Sequence, residues 1–280
     1  MLAAARLKKA QGLVESSREY AQAMRQVLQN MLTNSIDLDD QHVLLTGRHD
    51  IKAHLIIVVT SDRGLCGGFN SSICREAVSL IQDYERVGIP YRIMCIGRKG
   101  KVFMRRLYKD LVIETMDDWG KQTPDMEMAI AIAKRLEYLL QEGRIGKVKV
   151  VYSIFKSALT QKLAHLKLVP AQSHDSLDKE LAGGAIKQAS EDGKSNALYD
   201  YEPSQKSLLN ELLPRNLAVQ IYQVLLETSA SEHGARMTAM DNAARNATDV
   251  IDRLELSYNR SRQATITSEL IEIISGAEAL

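Results

Sequence analysis

The chain has 280 residues, with 36 lysines and arginines against 35 aspartates and glutamates, a formal net charge of +1. That balance supplies no global field to draw the protein onto nucleic acid or an anionic membrane surface. Aromatic residues make up only 5%, which suits long helices whose seams use aliphatic and small side chains.

The longest unbroken aliphatic stretch, Leu55 to Val59, falls far short of the ~20 residues that span a bilayer. Neither a signal peptide nor a transit segment is read ahead of the first periodic stretch. Cys66, Cys74 and Cys95 are odd in number and lack Cys-x-x-Cys spacing, which predicts reduced thiols in a cytosolic setting. The histidines form no metal-ligand pattern, and no metal or other cofactor is expected.

In chain order, the first element is a helix over residues 1–35. Ala3, Leu7, Ala10, Val14, Ser17, Ala21, Met24, Leu28 and Met31 recur at alternating steps of four and three, a heptad seam. Arg6, Lys8, Lys9, Glu15, Arg18 and Glu19 are read as its solvated flanks.

Residues 50–203 read as an α/β domain. "HLIIVVTS" and "YRIMCIG" are strand-like, with a helix from Phe69 to Val87 between them that buries Ile73, Ala77, Leu80, Ile81 and Tyr84. A further helix is expected around Lys101 to Tyr108. Another should start with Thr123 as N-cap and Pro124 as first helical residue, burying Ala129, Ile130, Ala133, Leu136 and Leu140. "KVKVVYSIF", "AHLKLVP" and "ALYDYEP" complete the strand-like runs, and the alternation predicts a mainly parallel, Rossmann-like sheet. The polar segment Leu177 to Ala197 is expected to be a mobile surface loop.

Residues 208–280 carry a second helical seam: Met237, Met240, Ala244, Ala247, Ile251, Leu254, Tyr258, Ser261 and Thr265. No proline follows Pro214. A helix from about Arg215 to Ser275 would be about 90 Å long at 1.5 Å per residue, so it needs a helical partner. The N-terminal seam is the expected one, in an antiparallel coiled coil. A second stripe, Ile266, Leu270, Ile273 and Ala277, should contact something outside that pair.

"SDRGLCGGFN", residues 61–70, follows the first strand and raises the possibility of a phosphate loop. It lacks the Lys-Ser/Thr of a Walker A sequence, and Gly64, Gly67 and Gly68 do not fit Gly-x-Gly-x-x-Gly. "IGRKGK" at Ile96 to Lys101 is a second candidate, basic together with Arg105, Arg106 and Lys109. No acidic residue stands where a ribose would be read. Cys66 near Arg63 is open as an activated thiol. The residues alone point away from an enzyme, with a nucleotide-binding α/β enzyme carrying a helical oligomerisation hairpin as the alternative.

Taken together, "TSDRGLCGGFN", "YDYEPSQKSLLNELLPRNLAVQIYQVLLE", "EHGARMTAMDNAARNA", "YNRSRQATITSELIEIISGAEAL" and "LAAARLKKAQ" resemble the gamma subunit of F-type ATP synthase over essentially the whole chain. The resemblance implies a rotating central shaft: an antiparallel coiled coil of the terminal helices inside a ring of alpha and beta subunits. The α/β domain would stand at the base beside the epsilon subunit and the c-ring. It implies a peripheral position on the cytoplasmic side of the bacterial inner membrane, with no catalytic residue or nucleotide of its own. By motif, Arg262, Gln263, Thr267 and Glu269 are implied to meet a beta-subunit loop, Arg236 to serve coupling, and Cys66 to lie in a subunit contact. The family's first helix begins several turns before "LAAARLKK", so the stretch from Arg262 to Thr267 is expected to lack that part of its helical partner. No inserted cysteine pair for redox regulation is seen.

Overall fold

The computed structural model describes residues 2–33, 42–48, 50–51, 53–119, 123–171, 202 and 204–278. They fall into two compact units, Met1–Met237 and Thr238–Leu280.

The first unit is built on a five-stranded sheet in the order β3-β2-β1-β4-β5. Its strands are β1 (His54–Val59), β2 (Tyr91–Ile96), β3 (Val112–Met116), β4 (Lys147–Phe155) and β5 (Gln161–Val169). The first four are mutually parallel, and β5 returns antiparallel to β4 through a tight turn. Leu55 through Val59 are buried, as expected of a central parallel strand covered on both faces. Edge strand β3, sequence VIETM, is only half-buried. Its short mixed pattern escaped sequence reading, and the expected Rossmann-like sheet is one strand wider for it.

Helices α3 (Phe69–Val87) and α4 (Arg98–Leu107) cover one face. Ile73, Ala77, Leu80 and Ile81 of α3 pack on Ile56, Val58, Ile93 and Cys95. Gly88, in the left-handed region, ends α3 by donating its N–H to the Tyr84 and Glu85 carbonyls. On the other face lie α5 (Met126–Gln141), the short α2 (Val43–Thr46), the end of α1 (Leu2–Thr33) and part of α6 (Gln205–Glu278).

Three helix boundaries differ from those read in the sequence. α4 begins at Arg98 rather than Lys101, because the chain after β1 accepts its first N–H groups. α5 begins at Met126: Asp125, not Thr123, is the N-cap, its Oδ1 accepting from Met128 N at 2.9 Å. Ala129, Ala133, Leu136 and Leu140 are buried as expected, joined by Ile132 and Leu139, whereas Ile130 is exposed. α6 starts at Gln205 and continues through Pro214. Proline inside a helix costs about 3 kcal/mol, which burial of Leu213 and Leu217 in the main core offsets. "ALYDYEP", apart from Glu202, and the segment Leu177 to Ala197 lie outside the described residues.

The N-terminal seam forms as expected, with Leu7, Ala10, Val14, Ala21, Leu28 and Met31 buried. Its partner is earlier in α6 than expected. Gln205 Nε2 donates to the Met31 carbonyl at 2.6 Å, and Leu7, Ala10 and Val14 share a cluster with Leu226, Ala230 and Met237. The pair is therefore antiparallel and runs from the start of α6 to Met237. The reason lies in residues 216–232, which are buried on every side except at Tyr222. In "NLAVQIYQVLLETSASE" even the polar stripe Asn216, Gln220, Gln223 and Glu227 is buried, and Arg18 of α1 and Phe155 N of β4 supply the partners that Glu227 needs there.

In the second unit, residues Met240 to Ala277 of α6 are exposed. They include Ile251, Leu254, Tyr258, Ile266, Leu270 and Ile273. Among the described residues no helix is long and apolar enough to cross a membrane.

This division gives an expected contrast in urea denaturation. Leu225→Ala, at a site with 0% exposure, should cost about 2–5 kcal/mol. Leu254→Ala, at 63% exposure, should change the stability of the isolated chain by less than about 0.5 kcal/mol.

Candidate functional site

The glycine-rich loop after β1 is a structural knot. Ser61 N and Oγ donate to Asn70 Oδ1, each at 3.0 Å, and Asn70 Nδ2 approaches the Cys66 sulfur at 3.2 Å. Phe69 N closes the turn on the Cys66 carbonyl at 3.2 Å. Asn70 thus ties the first turn of α3 back to the end of β1.

The loop also fills the place where a phosphate would sit. At the start of α4, Arg98 N donates to Asp62 Oδ1 at 2.9 Å, Lys99 N to the Ser61 carbonyl at 3.1 Å, and Gly100 N to Thr60 Oγ1 at 2.8 Å. An anion at a helix N-terminus needs those N–H groups. Here a carboxylate, a carbonyl and a hydroxyl of the protein already hold them. Asp62 Oδ1 also accepts from Asp118 N, and the Thr60 carbonyl from Trp119 Nε1 at 2.9 Å. Lys101 pairs with Asp117. The close approach requires glycine: a Cβ on Gly97, whose φ is +102°, would lie 2.1 Å from the Thr60 carbonyl oxygen. "IGRKGK" therefore presents no phosphate cradle, and the nucleotide-enzyme alternative loses its basic candidate site.

Cys66 is 2% exposed. Burial pushes its thiol up from the usual value, outweighing the nearby Arg236 charge, which removes the activated-thiol reading. Its side chain faces the core beneath α3, so the Cys66 thiol offers no surface to a partner. The residue the loop presents is Leu65, 76% exposed and held at φ +63°. That left-handed conformation costs a non-glycine residue roughly 1–2 kcal/mol.

Two ion pairs fasten the terminal helices to the α/β domain. Glu227, fully buried in α6, receives Arg18 Nε at 2.9 Å and Nη2 at 2.6 Å on one oxygen. Its other oxygen receives Phe155 N, at the end of β4, at 2.9 Å. Arg18 also reaches the Phe155 carbonyl. One carboxylate so joins α1, α6 and β4. The sequence reading placed Arg18 on a solvated flank. The overlooked signal was an acidic residue, Glu227, directly after the aliphatic run "VLL".

Two turns on, Arg236 pairs with Glu232 at 2.5 Å and donates to the Gly64 carbonyl at 3.2 Å. It thereby connects α6 to the glycine-rich loop. Its side chain is only 17% exposed. Beside it, burial and the charges of Arg236, Arg6 and Arg63 push His233 down to about 4, so this imidazole is neutral near pH 7. Gly234 lies against the β4–β5 turn at Ala158.

In the second unit, Arg262, Gln263, Thr267 and Glu269 are all exposed. Thr267 Oγ1 bonds back to the Gln263 carbonyl at 2.8 Å, and these residues follow one another along the helix. Among the described residues no three potential ligand side chains gather as a metal site.

A family model described as ATP synthase matches residues 1–280. The ATP synthase gamma chain of Rhizobium rhizogenes is 42% identical over 280 residues, covering 100% of this chain and 92% of the relative. That of Xanthobacter autotrophicus is 41% identical, covering 100% and 91%. Among solved structures, a chain of the Tetrahymena thermophila mitochondrial ATP synthase central stalk and c-ring superposes with TM-score 0.59 at 24% identity, covering 87% of this chain and 100% of its own length. A chain from the Euglena gracilis mitochondrial ATP synthase gives TM-score 0.59 at 19% identity, covering 98% and 94%. Both support the same fold.

The Arg18–Glu227 pair gives a pH-dependent expectation. Burial holds the Glu227 carboxyl above its usual range even with Arg18 beside it. Arg18→Ala raises it further and leaves a buried charge uncompensated, at about 3–5 kcal/mol near neutral pH. A raised folded-state pKa means the folded chain keeps its proton longer, so stability falls as pH rises through that value. Denaturation of Arg18→Ala should therefore show a smaller loss at pH 5 than at pH 8. A loss independent of pH would separate Arg18 from the Glu227 charge.

Proposed function

The chain belongs to the ATP synthase gamma-chain family, and from that premise we propose that it is the central rotor stalk of an F-type ATP synthase, passing c-ring rotation to the catalytic beta subunits. The observation that carries this reading is the partition of α6. Residues 216–232 are buried all round within the first unit, whereas Met240 to Ala277 expose an apolar stripe. An exposed stripe of that length is a surface for partners.

The proposed partners are the alpha and beta subunits around the exposed length of α6, with the epsilon subunit and c-ring at the α/β domain. Residues 1–35 and 208–280 form the shaft, and 50–203 the foot. The chain itself is non-catalytic and binds no nucleotide; chemistry belongs to the alpha and beta subunits. It sits peripherally on the cytoplasmic face of the bacterial inner membrane, held there through the complex.

Coupling of this kind requires unequal contact. A shaft that met every beta conformation alike would shift no equilibrium, however tightly it bound. Arg262, Gln263, Thr267 and Glu269 are the proposed unequal contacts: they are polar, solvent-facing and close along one helix. Arg236 acts differently. Its ion pair with Glu232 and bond to the Gly64 carbonyl make it a positioning residue that fixes α6 to the foot. In the loop, Leu65 replaces Cys66 as the proposed contact.

The isolated chain should show no ATP hydrolysis, and should form an active complex when mixed with its alpha and beta subunits. Turnover by the chain alone would sink the reading. In the assembled membrane complex, Arg262→Ala with Gln263→Ala should lower gradient-driven ATP synthesis several-fold. The unfolding free energy of the isolated chain should stay within about 0.5 kcal/mol.

A further inference from the structure

Helix α4 has one face buried on the sheet and one open to solvent. Gly100 and Met104 are buried, whereas Arg98, Lys99, Val102, Arg105 and Arg106 are exposed. At 3.6 residues per turn, Val102 falls in the middle of the open face, with Arg98 and Arg105 along one side of it and Lys99 and Arg106 along the other. We propose that this strip docks an acidic amphipathic helix of a partner protein, whose apolar side chain covers Val102 and whose carboxylates meet the flanking cations.

The cations of the strip are not balanced within the chain. Lys101, at the border of the face, is withdrawn into its pair with Asp117. Arg98 leans back on the Asp62 carbonyl through Nε and Nη2, each at 3.4 Å. Lys99, Arg105 and Arg106 meet no carboxylate among the described residues. The acids of α3 and β3 are engaged elsewhere: Glu76 with His165, Asp83 with Arg86, Glu85 with Tyr91, and Glu114 with Arg135. Arg106 is held in place over the Phe103 ring, 5.7 Å from its centroid. A chain whose formal net charge is only +1 thus concentrates positive potential on one short helix.

The shape of the strip selects the kind of partner. It is one helix wide, and acids stand exposed beyond it: Asp110 after α4, and Asp83 and Glu85 on α3. A flat anionic bilayer would bring those acids against its own charge, and one valine offers little to insert. Single-stranded nucleic acid stacks on exposed aromatic rings, but Phe103, the aromatic residue of α4, is half-buried with Arg106 over it. A helix lying along α4 meets only the strip. Its carboxylates, repeating every three or four residues, match the spacing of the cations, and arginine forks grip carboxylates with two parallel bonds. Exposed ion pairs alone contribute little. Val102, 66% exposed, supplies the apolar contact at their centre.

The probe is a synthetic alanine-based helix of about 20 residues, with leucine along one stripe and glutamate on both of its borders. A twin peptide carries glutamine for every glutamate. Binding of each labelled peptide to the full chain is followed by fluorescence anisotropy at low salt. Saturable binding of the glutamate peptide is expected, weakened at least about tenfold by Arg105→Gln with Arg106→Gln, and weakened also by raising the salt to about 0.2 M. Lys99→Gln repeats the test without touching the Phe103 contact and should weaken binding about threefold. Lys134→Gln, at an exposed site of α5 on the other face of the sheet, removes one charge remote from the strip and should leave the affinity within about twofold. Sedimentation with phosphatidylglycerol–phosphatidylcholine vesicles forms the second arm, and no bound fraction is expected. Vesicle binding that the double variant abolishes would assign the strip to a lipid surface and overturn the partner helix. Equal binding of the two peptides, no saturable binding, or affinity unchanged in both the double variant and Lys99→Gln would overturn it as well. So would a loss in Lys134→Gln as large as that in Lys99→Gln. The rotor role stands or falls separately, because these measurements use the chain without alpha and beta subunits.

Discussion

Glu227 is a carboxylate without solvent in the chain's longest helix, and the joining of both terminal helices to the sheet runs through it. Burying a charge is tolerated only when it is paired and hydrogen-bonded. Arg18 of α1 supplies the pairing, and Phe155 N of β4 supplies the remaining hydrogen bond. Such a pair contributes less net stability than its Coulomb attraction suggests. What it adds is selection of register: sliding either helix by one turn would leave Glu227 buried and alone.

That register has a mechanical consequence. Torque applied to a helix can be transmitted only if the helix cannot turn in its seat. The all-round packing of residues 216–232 and the Glu227 junction resist rotation about the axis. Arg236, gripping the Gly64 carbonyl, adds a further fastening at the end of that seat. The loop it grips is in turn anchored by Asp62 to α4 and by Asn70 to Ser61. The glycine-rich loop that looked in sequence like a nucleotide cradle is thus a bracket between sheet and shaft.

Much of this was legible in the residues. Heptad spacing identified α1, an unbroken aliphatic run identified β1, and the motifs "SDRGLCGGFN" and "SRQATITSELIEI" pointed to the family. What stayed hidden depended on tertiary contacts. The cap of α5 at Asp125 competes with an equally plausible Thr-Pro start two residues earlier. Continuation through Pro214 rests on core packing that local propensity does not encode. The partner of the α1 seam was misplaced because two stretches of α6 carry compatible spacing, and only the earlier one holds Glu227, which meets Arg18 of α1. Arg18 and Cys66 illustrate the same limit: Arg18 was read as a solvated flank and Cys66 as a subunit contact, while Glu227 holds the first half-buried and the core beneath α3 takes the second.

The central claim is that one helix serves two environments, seated in the foot over residues 216–232 and offered to partners beyond Met240. Amide hydrogen exchange, read on the isolated chain and again on the assembled complex with alpha and beta subunits, tests it most directly. The account predicts slow exchange over 216–232 in both samples, and fast exchange over 240–274 that slows on assembly. Equal protection of the two stretches in the isolated chain, or no change over 240–274 on assembly, would contradict it.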